Sequence, residues 1–152
     1  MITPSPEQRD FIRRYPEGEL PVMYQRWEKL LFLHWEMDPE VIQSTLPSGL
    51  YVDNYEGKAY VGIVPFYMRG IRPRGFPAIP YLSNFLECNV RTYVHDENGV
   101  PGVWFYSLEA NRWIACKVGR AAFHLPYFWA AMKSVEGETI RYSLRRRQAG
   151  ID

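Results

Sequence analysis

Strand-length runs of apolar and aromatic residues, each ended by a turn, constrain this chain more than any other feature. Lys58–Met68, Phe85–His95, Val103–Glu109, Phe128–Val135 and Glu138–Arg147 have the length and composition of β-strands. Glu56-Gly57, Asp96-Glu97-Asn98-Gly99 and Glu136-Gly137 are turn sequences that fold neighbouring runs into hairpins, with Leu50–Tyr55 as the partner of Lys58–Met68. Aromatics make up 16% of the residues, and flat rings pack well on a pleated surface. Glu28–Trp35 is a further apolar run, expected to be a strand buried on both faces. Only two helices are predicted in this body. One starts at Asp38-Pro39-Glu40, with Asp38 as N-cap and Pro39 in the first turn, carries Val41, Ile42 and Leu46 as its apolar stripe, and stops at Pro47 and Gly49. The other spans Ala110–Ala122, with Trp113, Ile114, Val118 and Ala121 near helical spacing. The sum is a β-rich α+β domain of sequential hairpins.

A chain of 152 residues is the size of one domain. Residues 1–26, marked by Pro4, Pro6, Pro16 and Pro21, read as an N-terminal arm with one short helix near Pro6–Arg14, and residues 27–152 as the domain. Between the hairpins, residues 69–82 hold prolines, glycines and Arg69, Arg72 and Arg74, and are expected to form a long loop. A formal net charge of +1 offers no bulk attraction for nucleic acid or an anionic membrane, and Arg145-Arg146-Arg147 is too short a run to supply one. No apolar run is long enough to span a bilayer. The opening MITPSPEQRD shows no basic segment followed by an apolar one, so a cytoplasmic protein is expected. Cys88 and Cys116 match no zinc or redox spacing and are expected to be buried, inert thiols. His34, His95 and His124 are isolated, so no metal site and no cofactor are expected. His34 is expected to be a hydrogen-bonded core residue and His95 an exposed one beside a turn.

The segments WEKLLFLHWEMDPEVIQSTLPSGLYVDNYEGKAYVGIVPFYMRGIRPRG, LECNVRTYV, GVWFYSLEA and GRAAFHLPYFWAAM, in that order, resemble the YqjF-like family from Trp27 to Arg147. That family is similar in fold to acetoacetate decarboxylase, which implies an antiparallel β-barrel or cone around a cavity that holds a small organic, carbonyl-containing molecule. A decarboxylase of that fold carries a Gly-Phe-Pro-Lys-Lys motif whose first lysine forms a Schiff base with the substrate. The matching segment is Gly119-Arg120-Ala121-Ala122-Phe123-His124-Leu125-Pro126-Tyr127-Phe128, with Tyr127 and Phe128 in the lysine positions. Neither side chain forms an iminium, which needs a neutral primary amine. The resemblance therefore implies a binding protein and not a decarboxylase. It also places the family's pocket glutamate at Glu87, while the family's pocket arginine is unmatched, Glu28 falling near its place. Relatives in the family are longer. A barrel that stops just after Arg147 is expected to be incomplete and to pair its open edges in a homodimer or aggregate.

Several side chains gain interest in this frame. Glu87, Asn89, Arg91 and Tyr93 alternate on one face of their strand, either as an ordinary wet face or as the lining of a lumen, where Arg91 would pair with a charged Glu87. Glu109 either couples with Glu87 as acid and base or ends its strand in solvent. Glu87, Tyr127 and His124 are the candidate catalytic groups of an acid–base reading. Glu87, Asn89, Arg91, Glu109 and Tyr127 are the candidate ligand contacts. A third alternative is an interaction module without a ligand. Arg69, Arg72 and Arg74 either clamp an anion at a cavity mouth or are solvated loop charges.

Overall fold

A computed structural model describes residues 3–14 and 18–147; Pro16 of the arm and residues 148–152 of the domain lie outside them. The elements run α1 (Pro6–Phe11), β1 (Met23–Glu28), β2 (Leu33–Met37), α2 (Pro39–Gln43), β3 (Tyr51–Val52), β4 (Ala59–Pro73), β5 (Phe85–His95), β6 (Pro101–Ala110), α3 (Trp113–Phe123), β7 (Tyr127–Glu136) and β8 (Ile140–Arg146). The fold is β-rich α+β. Its 8-stranded sheet follows the path β1-β4-β5-β6-β7-β8, with β2 also pairing β4 and β3 pairing β5. The path has two ends and the sheet is not closed among the described residues. It is also mixed, not purely antiparallel, because β6 and β7 pair in parallel. Among the described residues no helix is long and apolar enough to cross a membrane, and no cluster of His, Cys, Asp and Glu is grouped to hold a metal.

The chain divides into two compact units. The first comprises Met1–Leu20, Leu33–Gly62 and Arg91–Phe105. In it α1 carries a capping box, Ser5 and Gln8 satisfying each other's backbone N–H groups, and Arg9 grips Asp53 through its two terminal guanidinium nitrogens at 2.5 and 2.6 Å. Asp38 caps α2 as its sequence predicts, accepting from the Glu40 N–H at 2.8 Å, and Ile42 is the side chain of that helix that is buried. The partner of β3 is β5 (Tyr51 opposite His95), not β4; only the single bridge Tyr55–Lys58 remains of the expected hairpin. Tyr51 stacks on the His95 ring at 5.6 Å and thereby buries it, although its position beside a turn predicted exposure. His34 is hydrogen-bonded, to the Tyr93 hydroxyl at 2.6 Å, but it lies on the exposed strand β2 and not in a core.

The second unit comprises Pro21–Phe32, Ile63–Val90 and Tyr106–Asp152. Its strand β1 starts at Met23, inside the stretch expected to be arm, and pairs with β4 from Met23–Pro73 to Glu28–Tyr67. The predicted strand Glu28–Trp35 is broken: β1 ends at Glu28, and Lys29 turns the chain with φ 55°, a left-handed conformation. The residues that resume as β2 are all exposed, so burial on both faces does not occur. β4 continues through Pro73, which makes Arg69–Pro73 a strand where a loop is predicted. Two apolar clusters form, one of Val64, Phe66, Met68, Phe85, Ala110 and Cys116, the other of Tyr67, Leu86, Cys88, Ala130 and Met132. Alternation explains the division: Phe85 and Leu86, or Phe66 and Tyr67, are neighbours in sequence and point to opposite faces. The β7–β8 hairpin pairs without interruption from Ala130–Arg146 to Glu136–Ile140. Alternation puts Ile140, Tyr142 and Leu144 on one face of β8; Ile140 and Leu144 remain half exposed, whereas Tyr142 donates to the Lys29 carbonyl at 2.7 Å.

Candidate functional site

Glu87 lies near the start of β5 with only 3% of its surface exposed. It shares the face of Phe85, and therefore of the cluster under α3. The Tyr127 hydroxyl, at the first position of β7, donates to Glu87 Oε2 at 3.0 Å. Tyr127 is held from behind by α3, which lays Gly119 directly on its ring: a Cβ built on Gly119 would sit 2.5 Å from Tyr127 Cε2. Burial is the largest influence on the Glu87 carboxyl and raises it to about 7; the Tyr127 hydrogen bond opposes the rise, and the charge of Glu109 adds to it. Burial likewise raises the Tyr127 hydroxyl and lifts the Cys116 thiol, also in this environment, to about 11. Asn89, two residues along the same face and 2% exposed, has an Oδ1 with no hydrogen-bond partner among the described residues. An unsatisfied buried acceptor of this kind costs about 1–3 kcal/mol, so this face of β5 asks for a donor.

Removing the Tyr127 hydroxyl takes away the one influence that favours the charged form of Glu87. In Tyr127→Phe the carboxyl is expected to titrate above the value of about 7 set by the native site. Carbon-detected NMR of the side-chain carboxyl reads this directly, and an unmoved or lowered titration would show that the hydrogen bond does not act on Glu87.

Glu109 does not join Glu87. Ala110 belongs to the cluster under α3, so its neighbour Glu109 points to the opposite face, with Ser107. There it is 4% exposed, which excludes the solvent-ended strand, and it is paired with Arg146 and accepts from the Ser107 hydroxyl at 3.3 Å. The Arg146 guanidinium also covers the Phe128 ring at 3.8 Å. The two carboxylates sense each other through space but share no pocket. Arg91 belongs to the first unit, where it donates to the Tyr93 hydroxyl at 3.4 Å. His124 is an exposed residue in the left-handed cap position of α3 (φ 54°), where its backbone ends the helix. Cys88 and Cys116 are free and buried, and burial lifts the Cys88 thiol to about 12. Two of the three arginines expected in the loop are engaged by the protein itself, from strand β4: Arg69 covers Tyr67 at 4.7 Å and Arg72 covers Tyr24 at 5.0 Å, while Arg74 is exposed.

Two residues of this region have structural roles that their sequence context hides. Arg146 sits in a run that reads as solvated charge, and Gly119 in a helix whose glycine has no local reason. Only the β7–β8 alternation, which aims Arg146 at the Phe128 face, signals the first. A groove of about 520 Å3 also opens in this unit, along β7 and β8 and beside Arg112, and Glu87, Asn89 and Tyr127 do not line it.

Residues 24–152 match the family DUF2071, described as an uncharacterized conserved protein. The uncharacterized protein YqjF of Bacillus subtilis (strain 168) is 41% identical over 133 residues, 87% of this chain and 54% of that one. Acetoacetate decarboxylase from Legionella pneumophila superposes with a TM-score of 0.62 at 19% identity, over 91% of this chain and 52% of that one. The enduracididine biosynthesis enzyme MppR, solved with the condensation product of pyruvate and imidazole 4-carboxaldehyde, superposes with a TM-score of 0.58 at 14% identity, over 77% of this chain and 43% of that one. The chain thus spans about half the length of each relative, and the two structures show a shared fold.

Proposed function

The chain belongs to the DUF2071 family of uncharacterized conserved proteins, and on that footing we propose that it binds a small organic, carbonyl-containing metabolite beside Glu87, without the Schiff-base chemistry of a decarboxylase. The sheet, on this reading, contributes to the wall of a barrel of the acetoacetate decarboxylase type. The observation that carries the proposal is a buried carboxyl raised to about 7, held by Tyr127 and followed on the same face by the unpartnered Asn89 oxygen. With Tyr127 donating to Oε2, a protonated Glu87 still has its own O–H to give, and a ligand carbonyl is the acceptor that proton would take; a donor elsewhere on the same ligand would answer Asn89 Oδ1. Perturbed carboxyls of this kind concentrate at functional sites.

The absence of amine catalysis rests on where the amines are. Lys29 pairs with Glu136, Lys58 pairs with Glu36, Lys117 lies 5.5 Å over the Trp113 ring, and Lys133 is exposed on β7. Tyr127 occupies the position that the resemblance assigns to the lysine. Incubation with acetoacetate and sodium borohydride should therefore leave the intact mass unchanged, and a stable lysine adduct would overturn this part of the proposal. Binding is tested separately. Pyruvate or acetoacetate should shift the NMR signals of the Asn89 side-chain amide and of Tyr127; if neither acid moves them, the site does not take carbonyl compounds.

A second reading adds proton transfer to binding. With a carboxyl near 7, both protonation states are populated at neutral pH, as a general acid–base requires. Glu87 would then move a proton on the carbon beside the bound carbonyl, with Tyr127 orienting it.

A further inference from the structure

The groove along β7 and β8 has a lining unlike the Glu87 site. It is bounded by Trp129, Lys133, Arg145 and Arg147 from the hairpin and by Asn111 and Arg112 from the entry to α3, and among the described residues no Asp or Glu lines it. The hairpin register explains the grouping. Lys133 faces Ser143 and Ala131 faces Arg145, so alternation brings Trp129, Ala131, Lys133, Ser143, Arg145 and Arg147 to one face, opposite to the one that carries Arg146 toward Glu109. Among the described residues, none of Arg112, Lys133, Arg145 and Arg147 is in an ion pair, whereas Arg146 is. Arg147 lies over the Trp129 ring at 4.9 Å and Arg112 over Tyr81 at 4.2 Å, which fixes two guanidinium planes without neutralising them. Arg112 is also the N-cap residue of α3 and its side chain makes no cap hydrogen bond, so among the described residues the N-cap gives no side-chain acceptor to the first-turn N–H groups of this eleven-residue helix.

We infer that this groove is a binding site for a small phosphate-bearing ligand, separate from the Glu87 site and independent of the function proposed for it. Four like charges gathered without a carboxylate repel one another and gain from an anion placed among them. Guanidinium forks match phosphate oxygens two at a time, and free helical N–H groups add oriented donors. A volume of about 520 Å3 suits a molecule of metabolite size, and Trp129 with Ala131 provides an apolar wall for its organic part. Nucleic acid fits less well: it needs a long cationic track, and the chain as a whole carries only +1.

Inorganic pyrophosphate is the probe, followed by calorimetry and by the indole NMR signal of Trp129 at low and moderate salt. Binding is expected, with a moved Trp129 signal and an affinity that weakens as salt rises. The double variant Lys133→Ala/Arg145→Ala, both on the exposed hairpin face, should bind at least about tenfold more weakly, because two charge-assisted contacts are lost. Arg13→Ala, a charge change in the other unit, should bind as the native protein does. Absence of binding, or equal weakening by Arg13→Ala, overturns the proposal. So does affinity for a single-stranded oligonucleotide that grows with its length and exceeds that for pyrophosphate, which would assign the face to nucleic acid.

Discussion

Replacing Gly119 with alanine is expected to lower the stability of the protein by about 1–2 kcal/mol, net of the helical gain. A methyl group in the middle of a helix normally helps by about 1 kcal/mol, because alanine loses less backbone freedom than glycine. Here the added Cβ lands 2.5 Å from Cε2 of Tyr127 and 3.1 Å from Cγ, against a ring and not against the end of a flexible chain. Tyr127 is tethered at the start of β7 and hydrogen-bonded to Glu87, so relief requires α3 to lift or the ring to leave its place. Overpacking of this kind costs about 1–3 kcal/mol and at times more, which outweighs the helical gain. Urea denaturation measures the difference. Adding Tyr127→Leu removes the ring, so the double variant should lose less than the sum of the two single variants. A Gly119→Ala protein as stable as the native one, with Glu87 titrating unchanged, would show that α3 does not rest on Tyr127.

The second large effect is a dependence of stability on pH. The carboxyl of Glu87 is raised from 4.5 to about 7, so in the folded chain its charged form is disfavoured relative to the unfolded chain. Stability from this group is therefore complete below about 4.5, falls as the pH rises through 7, and is flat beyond. A rise of this size corresponds to about 3 kcal/mol between the two limits. Glu87→Gln keeps an acceptor for the Tyr127 hydroxyl and cannot ionise. The variant should accordingly gain on the native protein by about 3 kcal/mol between pH 4 and pH 8, because a neutral amide escapes the burial penalty of a charge. Taking the difference between the two proteins at each pH cancels the titration of distant groups. A difference that stays constant with pH would mean that Glu87 is solvated, and one that shrinks as the pH rises would mean that the fold favours its charged form; either overturns the prediction.

What could be read in advance follows from how far each signal reaches along the chain. The strand Phe85–His95 is predicted to its exact ends, since alternation and the turn at Asp96 both act within a few residues. The Asp38 cap is legible for the same reason. The break at Lys29 is not, because a left-handed lysine has no residue-type signature, as a glycine would. Parity within one strand also says nothing of parity in the next. Glu87 and Glu109 each alternate correctly, yet the register between β5 and β6 sends them to opposite faces, and no local pattern records it. Periodicity is equally blind to strand direction, so the parallel pairing of β6 with β7 was hidden behind two well-marked hairpin turns. The Glu87–Tyr127 pair came within reach only through the family resemblance, as its partners lie 40 residues apart.

The parallel join has a consequence in time. The β7–β8 hairpin is built from neighbours in sequence and can close within microseconds. Leu108–Ala110 and Tyr127–Trp129 meet only after the whole of α3 has been laid across, and such non-local closures come late. Until then Glu87 has neither its tyrosine nor its helix, and it titrates as a carboxyl does in water. The near-neutral acid is thus a property that the chain acquires at the end of folding, and a nascent or partly opened molecule, however complete its hairpins, carries the residue without its chemistry.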